Sequence, residues 1–142
     1  MSLEENKAFV REAMDEIWNK HNLAAVDKAF AQGFVGHDPS SAKPQTFGDR
    51  KDNIATYQKA FPDVRCTIDD LVAEGDKVAF RWTAPGTHKG EFQGLPATNK
   101  VLTLTGTTIF RIAGGKIAES WESYDALGML QQAGVVPPPP GA

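Results

Sequence analysis

Near Val64 the spacing of apolar residues changes from three-and-four to two, and that switch limits the folds open to the chain. Before it, Leu3, Asn6, Phe9, Val10, Ala13, Met14, Ile17, Trp18 and His21 recur at helical spacing and predict a long amphipathic helix. Asn22 stands where a cap would, ahead of a shorter helix with Leu23, Val26, Ala29 and Phe30 inward and Gln32-Gly33 at its end. Phe34-Val35 then leads into Gly36-His37-Asp38-Pro39 and a polar loop. Gly48 and Asp49 open a third helix, with Ile54, Tyr57 and Phe61 on one side and Pro62 as its stop.

After the switch, Cys66, Ile68, Asp70 and Val72 alternate with Thr67, Asp69, Leu71 and Ala73. Gly75-Asp76 reads as a two-residue hairpin turn into a strand ending at Ala84, with Leu71 opposite Phe80, Asp70 opposite Arg81 and Asp69 opposite Trp82. Pro85-Gly86 reads as a break, followed by a loop marked by Gly90, Gly94 and Pro96. A second hairpin joins Val101–Ala113 to Lys116–Ser123 through Gly114-Gly115, and Asp125 caps a closing helix stopped by Gly134. Helices followed by antiparallel strands make an α+β domain over residues 1–136, with a proline-rich tail at 137–142. The expected arrangement is a curved antiparallel sheet wrapped around the N-terminal helices, enclosing a cone-shaped cavity.

Bulk composition narrows the function by exclusion. The chain has 142 residues and a formal net charge of −3, with both signs dispersed and no basic patch. Neither a nucleic-acid backbone nor an anionic membrane surface is the expected partner. The one cysteine, Cys66, permits no intrachain disulfide and reads as a small buried hydrophobe. His21, His37 and His88 match no metal-binding spacing, so no metal is expected. With no leader-like N-terminus and no stretch of membrane-spanning length, a cytoplasmic protein is expected.

The second hairpin carries the chemistry. A regular ladder closed by Gly114-Gly115 pairs Ile112 with Ile117, Phe110 with Glu119 and Thr108 with Trp121. Glu119 then points into an apolar interior, where burial raises a carboxyl pKa and suits it to acid/base work. Glu122 faces outward unless a bulge, or the strand's end after Trp121, re-aims it. A one-residue slip would exchange the two faces. His37 and His88 sit on loops beside strand ends, where rim residues of a pocket are found. Trp18, Phe34, Tyr57, Phe80, Trp82, Phe110, Thr108 and Trp121 are the expected lining.

The segments FVGHDP, AFPDVRCTIDDLVAEGDKVAFRWTAPGTHKGEFQGLPAT and FRIAGGKIAESWESYDALGMLQQAG resemble the SnoaL-like polyketide cyclases of the nuclear transport factor 2-like superfamily. The resemblance spans nearly the whole chain outside the tail. It implies a cone-shaped α+β barrel with a deep hydrophobic pocket, and a homodimer or tetramer formed through the sheet. It further implies an intramolecular aldol condensation that needs no cofactor or metal. The family's catalytic aspartate is matched by Glu122, one methylene longer, and its pocket histidine by Thr108, which cannot titrate. His88 matches the histidine of the GTH motif, and His37 falls at the first polar pocket position.

Three functional classes follow. One is a cofactor-free enzyme (a lyase or isomerase) performing aldol cyclisation, isomerisation or hydration on a small hydrophobic carbonyl compound. In it Glu122 or Glu119 is the base, and His37 and His88 orient polar groups. Another is a binding protein for an apolar metabolite. The third is an oligomerisation module with a vestigial cavity.

Overall fold

The computed structural model describes residues 1–141, so only Ala142 of the proline-rich tail lies outside the described residues. Helix α1 (Leu3–Met14) starts from a capping box in which Ser2 and Glu5 satisfy each other's backbone N–H groups. It runs on through one π-helical turn, Asp15–Asn19. His21 lies beyond it at φ +52°, its Nε2 donating to the Val64 carbonyl at 2.7 Å.

The second helix is shorter than its periodicity suggests. Helix α2 is Ala24–Ala29, without a side-chain cap; the Asn22 amide reaches Glu16 instead. Phe30 already has extended backbone and opens strand β1, Phe30–His37. Phe30 and Phe34 are four apart, a spacing that suits one face of a strand as well as one face of a helix. Strand pairing decides between them, because β1 runs parallel to β5 with Gly36 beside Ser120 and His37 beside Trp121. Helix α3 (Phe47–Ala60) follows, capped by a Thr46–Asp49 box.

Strands β2 (Thr67–Glu74), β3 (Lys77–Thr87), β4 (Val101–Ala113) and β5 (Lys116–Tyr124) complete a five-stranded sheet of order β1-β5-β4-β3-β2. It is curved and open, antiparallel except at β1. The first hairpin keeps Leu71 opposite Phe80 and Asp70 opposite Arg81, but Trp82 faces Ile68. Asp69 is the extra residue of a bulge there, which overturns its expected place opposite Trp82.

Pro85-Gly86 does not break β3, which pairs through them with Thr103 and Leu102. The β2 ladder has already ended at Thr67, so the missing N–H of Pro85 deprives no ladder partner. Gly86 serves packing: a Cβ there would lie 3.0 Å from the Phe61 Cβ. Helix α4 (Ala126–Ala133) is capped by Asp125, whose Oδ1 accepts the Gly128 N–H at 2.8 Å, and it ends at Gly134 with φ +83°.

Two buried clusters hold the helices against the concave face. Val10, Ile17, Val26, Phe30, Phe34, Val78, Phe80, Phe110 and Ile117 join α1 and α2 to the sheet centre. Phe61, Val64, Ala84, Leu102, Leu104 and Met129 join the end of α3 and α4 to the other end. Met14, Trp18 and Trp82 touch both clusters. The space between the clusters is where the concave face stays unfilled.

Candidate functional site

One residue in β5 determines which acid faces inward. Ile112 pairs with Ile117 as the Gly114-Gly115 turn requires, but Arg111 pairs with Glu119, leaving Ala118 as a bulge. Every later side chain is thereby moved to the opposite face. Ser120 lies opposite Phe110 and Glu122 opposite Thr108, whereas Trp121 is beside Ile109 on the convex side. The expected pairings of Phe110 with Glu119 and Thr108 with Trp121 are corrected accordingly. Glu119 and Trp121 are outside and Glu122 is inside.

The inner space is a cavity of about 230 Å³. Trp18, Tyr57, Phe80, Trp82, Thr108 and Phe110 line it, together with Glu122. Phe34 does not; its ring lies beneath the Arg50 guanidinium, 5.1 Å from the centroid. Thr108 is engaged, accepting the Trp82 indole N–H at 3.0 Å. Trp18 and Tyr57 meet edge to face at 5.8 Å.

Glu122 belongs to a polar network in the cavity wall. Arg50, only 7% exposed, donates from Nη1 to the Glu122 carboxylate, from Nε to Gln45 Oε1 at 3.0 Å, and from Nη2 to Ser120 Oγ at 3.3 Å. The Ser120 hydroxyl donates to Glu122 Oε1 at 3.2 Å. Burial pushes the Glu122 carboxyl above its ordinary value; Arg50 opposes the rise and the Asp38 charge adds to it.

Asp38 shares the same wall but is driven the other way. Burial would raise it, but its Oδ1 accepts the Ser40 hydroxyl at 2.6 Å, the Tyr124 hydroxyl at 2.7 Å and the Ser40 N–H at 2.8 Å. The hydrogen bonds prevail and hold Asp38 below the usual carboxylate range. Tyr124 is pushed up to about 12, chiefly by burial, and keeps its proton. Two carboxyl groups with pKa values moved apart can divide acid and base roles.

The histidines are placed elsewhere. His37 stacks on Trp121 at 5.5 Å, and its Nε2 donates to Glu119 Oε2 at 2.8 Å. Arg111 Nε donates to the other Glu119 oxygen at 3.2 Å, which completes a half-exposed cluster on the convex side. His88 is fully buried outside the cavity lining, stacked on Phe61 at 5.2 Å, its Nδ1 accepting the Thr98 N–H at 3.3 Å. It anchors the loop that brings Phe92 and Gln93 to the cavity. The structure therefore joins Glu122 to Thr108 and the aromatic lining, and separates that group from Glu119, His37 and His88.

Sequence reasoning did not single out Arg50, Asp38, Ser120 or Tyr124. Two of them carried a readable signal. Arg50 continues the apolar stripe of α3, four residues before Ile54 and seven before Tyr57, so a charge there must point inward. Tyr124 is two residues from Glu122 and shares its face by alternation. Among the described residues, no group of three or more His, Cys, Asp or Glu side chains could hold a metal ion. No helix of the described residues is long and apolar enough to cross a membrane.

Comparison with known proteins agrees with this architecture. The chain is 28% identical to AclR, a proposed hydroxylase from Streptomyces galilaeus, with a TM-score of 0.89 over 99% of this chain and 87% of that one. It is 30% identical to a proposed polyketide cyclase from Acidithiobacillus ferrooxidans, with a TM-score of 0.80 over 95% and 99% of the two chains. For IdmH, a proposed polyketide cyclase from Streptomyces antibioticus, the identity is 29% and the TM-score 0.78 over 91% and 98%. No curated protein matches the chain significantly. The family profile described as SnoaL-like polyketide cyclase matches residues 8–133, and the chain belongs to that family, with its nuclear transport factor 2-like fold.

Proposed function

We propose that this protein catalyses proton transfer at the carbon beside a carbonyl in a small hydrophobic substrate, with Glu122 as the group that takes and returns the proton. The observation that carries the reading is a buried carboxyl, raised in pKa, in the wall of a cavity lined mainly by aromatic rings. A raised pKa brings the carboxylate closer to the basicity that carbon-proton removal needs. Arg50 donates to the carboxylate while Gln45 and Ser120 hold its guanidinium, which fixes the orientation of the pair. Asp38 stays ionised beside it, and its charge adds to the basicity of Glu122.

Size indicates the substrate class. About 230 Å³ lies between the ~150 Å³ cavity that holds benzene and the ~300 Å³ lower end of drug-sized pockets. A one- or two-ring carbonyl compound suits that space. In an aldol cyclisation the enolate formed at Glu122 attacks a second carbonyl carbon of the same molecule, and the alkoxide takes the proton back. The likeness to AclR favours a second reading with the same first step, in which the enolate meets an oxygen-supplying co-reactant. Self-association through the convex side of the sheet, where Trp121 and Val72 lie, accompanies either reading.

The test uses β,γ-cyclohexenone, whose conversion to the conjugated isomer requires only removal and return of one proton. Wild-type protein is expected to accelerate the conversion and Glu122→Gln to remove most of the acceleration. Binding of β-naphthol, read by its fluorescence, without any acceleration would leave a binding protein and overturn the catalytic reading.

A further inference from the structure

Glu122 borders two spaces. On one side is the cavity; on the other is a separate cleft of about 320 Å³ beneath the loop after β1, walled by His37, Asp38, Ser41, Ala42 and Lys43. Asp38 also borders both, so these two residues lie where the spaces meet. The two spaces differ in character. Aromatic rings, Trp18, Tyr57, Phe80, Trp82 and Phe110 among them, surround the first, whereas exposed Ser41, Ala42 and Lys43 border the second.

The loop over the cleft is pinned together at its base. Gly36 and Gln45 exchange both backbone hydrogen bonds, at 2.9 and 2.7 Å. A Cβ on Gly36 would lie 2.8 Å from both Arg50 Nη2 and the Phe34 ring, so a larger residue there would push on both. A water needs on the order of 10–15 Å³, which the cleft exceeds many times.

We infer that this cleft is a rear entrance for water, through which Glu122 exchanges its proton with solvent while a ligand fills the cavity. The inference rests on the reading of Glu122 as the proton-transfer group. A ligand against the aromatic walls would cover the side of the carboxylate that faces the cavity, and the cleft would then be its route to water. The C–H bond beside the carbonyl breaks, its electron pair forms the C=C bond of the enolate as the carbonyl π pair moves onto oxygen, and the O–H bond forms on Glu122. Through the cleft that proton passes to water and a solvent proton replaces it. The carboxyl then returns a proton to carbon or oxygen, which regenerates the carboxylate.

Isotope content distinguishes this route from exchange through the front. With β,γ-cyclohexenone in heavy water, wild-type protein is expected to place deuterium at the reprotonated carbon in most product molecules. Ala42→Trp fills the cleft from an exposed loop position and should lower that deuterium fraction severalfold, with turnover largely retained. Ala42→Phe is a second plug, and thermal melting checks that each variant folds. An unchanged deuterium fraction in folded variants would overturn the rear entrance alone. Failure of the wild-type protein to convert the ketone would overturn the proton-transfer reading, and this inference with it.

Discussion

Strand β5 carries two glutamates three residues apart, and each is paired with an arginine: Glu122 with Arg50 inside, Glu119 with Arg111 outside. The ingredients are nearly the same and the outcomes are opposite. Burial drives the Glu122 carboxyl up despite its arginine. The His37 hydrogen bond, then Arg111, pulls Glu119 down, because solvent leaves burial too small to resist them. A carboxylate–arginine contact does not by itself determine the acidity of the acid; the dielectric around it does. Ala118 decides which glutamate receives which environment, since the bulge there turns the rest of the strand over.

Replacing one acid at a time should break the symmetry most visibly. Glu122→Gln is expected to lower turnover of β,γ-cyclohexenone by roughly 10²–10⁴-fold, the usual scale for a positioned acid or base. Glu119→Gln should leave turnover close to wild type. Similar losses in both variants would mean that the two faces are not functionally distinct.

The arginines give the next largest contrast, in stability. Arg50→Ala leaves a buried carboxylate without its cation, and breaking such a pair costs about 3–5 kcal/mol. Denaturant unfolding at neutral pH should show that loss. It should shrink in acid, where Glu122 takes up a proton and no longer needs a counter-charge. A loss of equal size at both pH values would point to packing of the guanidinium on Phe34 as the main contribution.

How far the sequence discloses this arrangement depends on the kind of signal. The two hairpin turns, the cap at Asp125 and the stop at Gly134 are local chemistry and stand where the residues indicate, whereas Asn22 does not cap α2 and α3 starts from Thr46, just ahead of Gly48. Helix α2 is cut short at Phe30 because pairing with β5 is non-local, and a four-residue spacing looks alike in helix and strand. The bulge at Ala118 leaves no mark in Lys116-Ile117-Ala118-Glu119, so alternation counted from the turn assigns Glu119 and Trp121 to the wrong face. Family resemblance pointed to Glu122 because it compares positions rather than counting faces. Arg50 was readable from the stripe of α3, whereas Gln45, which binds its Nε from a polar loop, was not.

The two acids should also leave opposite signatures in stability against pH. Glu122 binds its proton more tightly folded than unfolded. Its contribution is fully present below the ordinary value of 4.5 and is lost as pH rises toward the raised folded value. Glu119 does the reverse: its contribution is present above 4.5 and is lost as pH falls through its lowered folded value. Melting curves across the acid range should therefore lose one slope in Glu122→Gln and the opposite slope in Glu119→Gln.

The smallest effect is expected from Arg111→Ala. Its partner Glu119 retains the His37 hydrogen bond and access to water, so no charge is stranded. Exposed pairs contribute little because solvent screens them and the long side chains lose freedom on pairing. The unfolding midpoint should shift by a small fraction of the Arg50→Ala shift, and added salt should erase the difference from wild type. A salt-insensitive loss approaching that of Arg50→Ala would mean that the convex side is covered in solution. In that case the pair would be buried between copies of the chain, and sedimentation should show the variant shifting toward monomer.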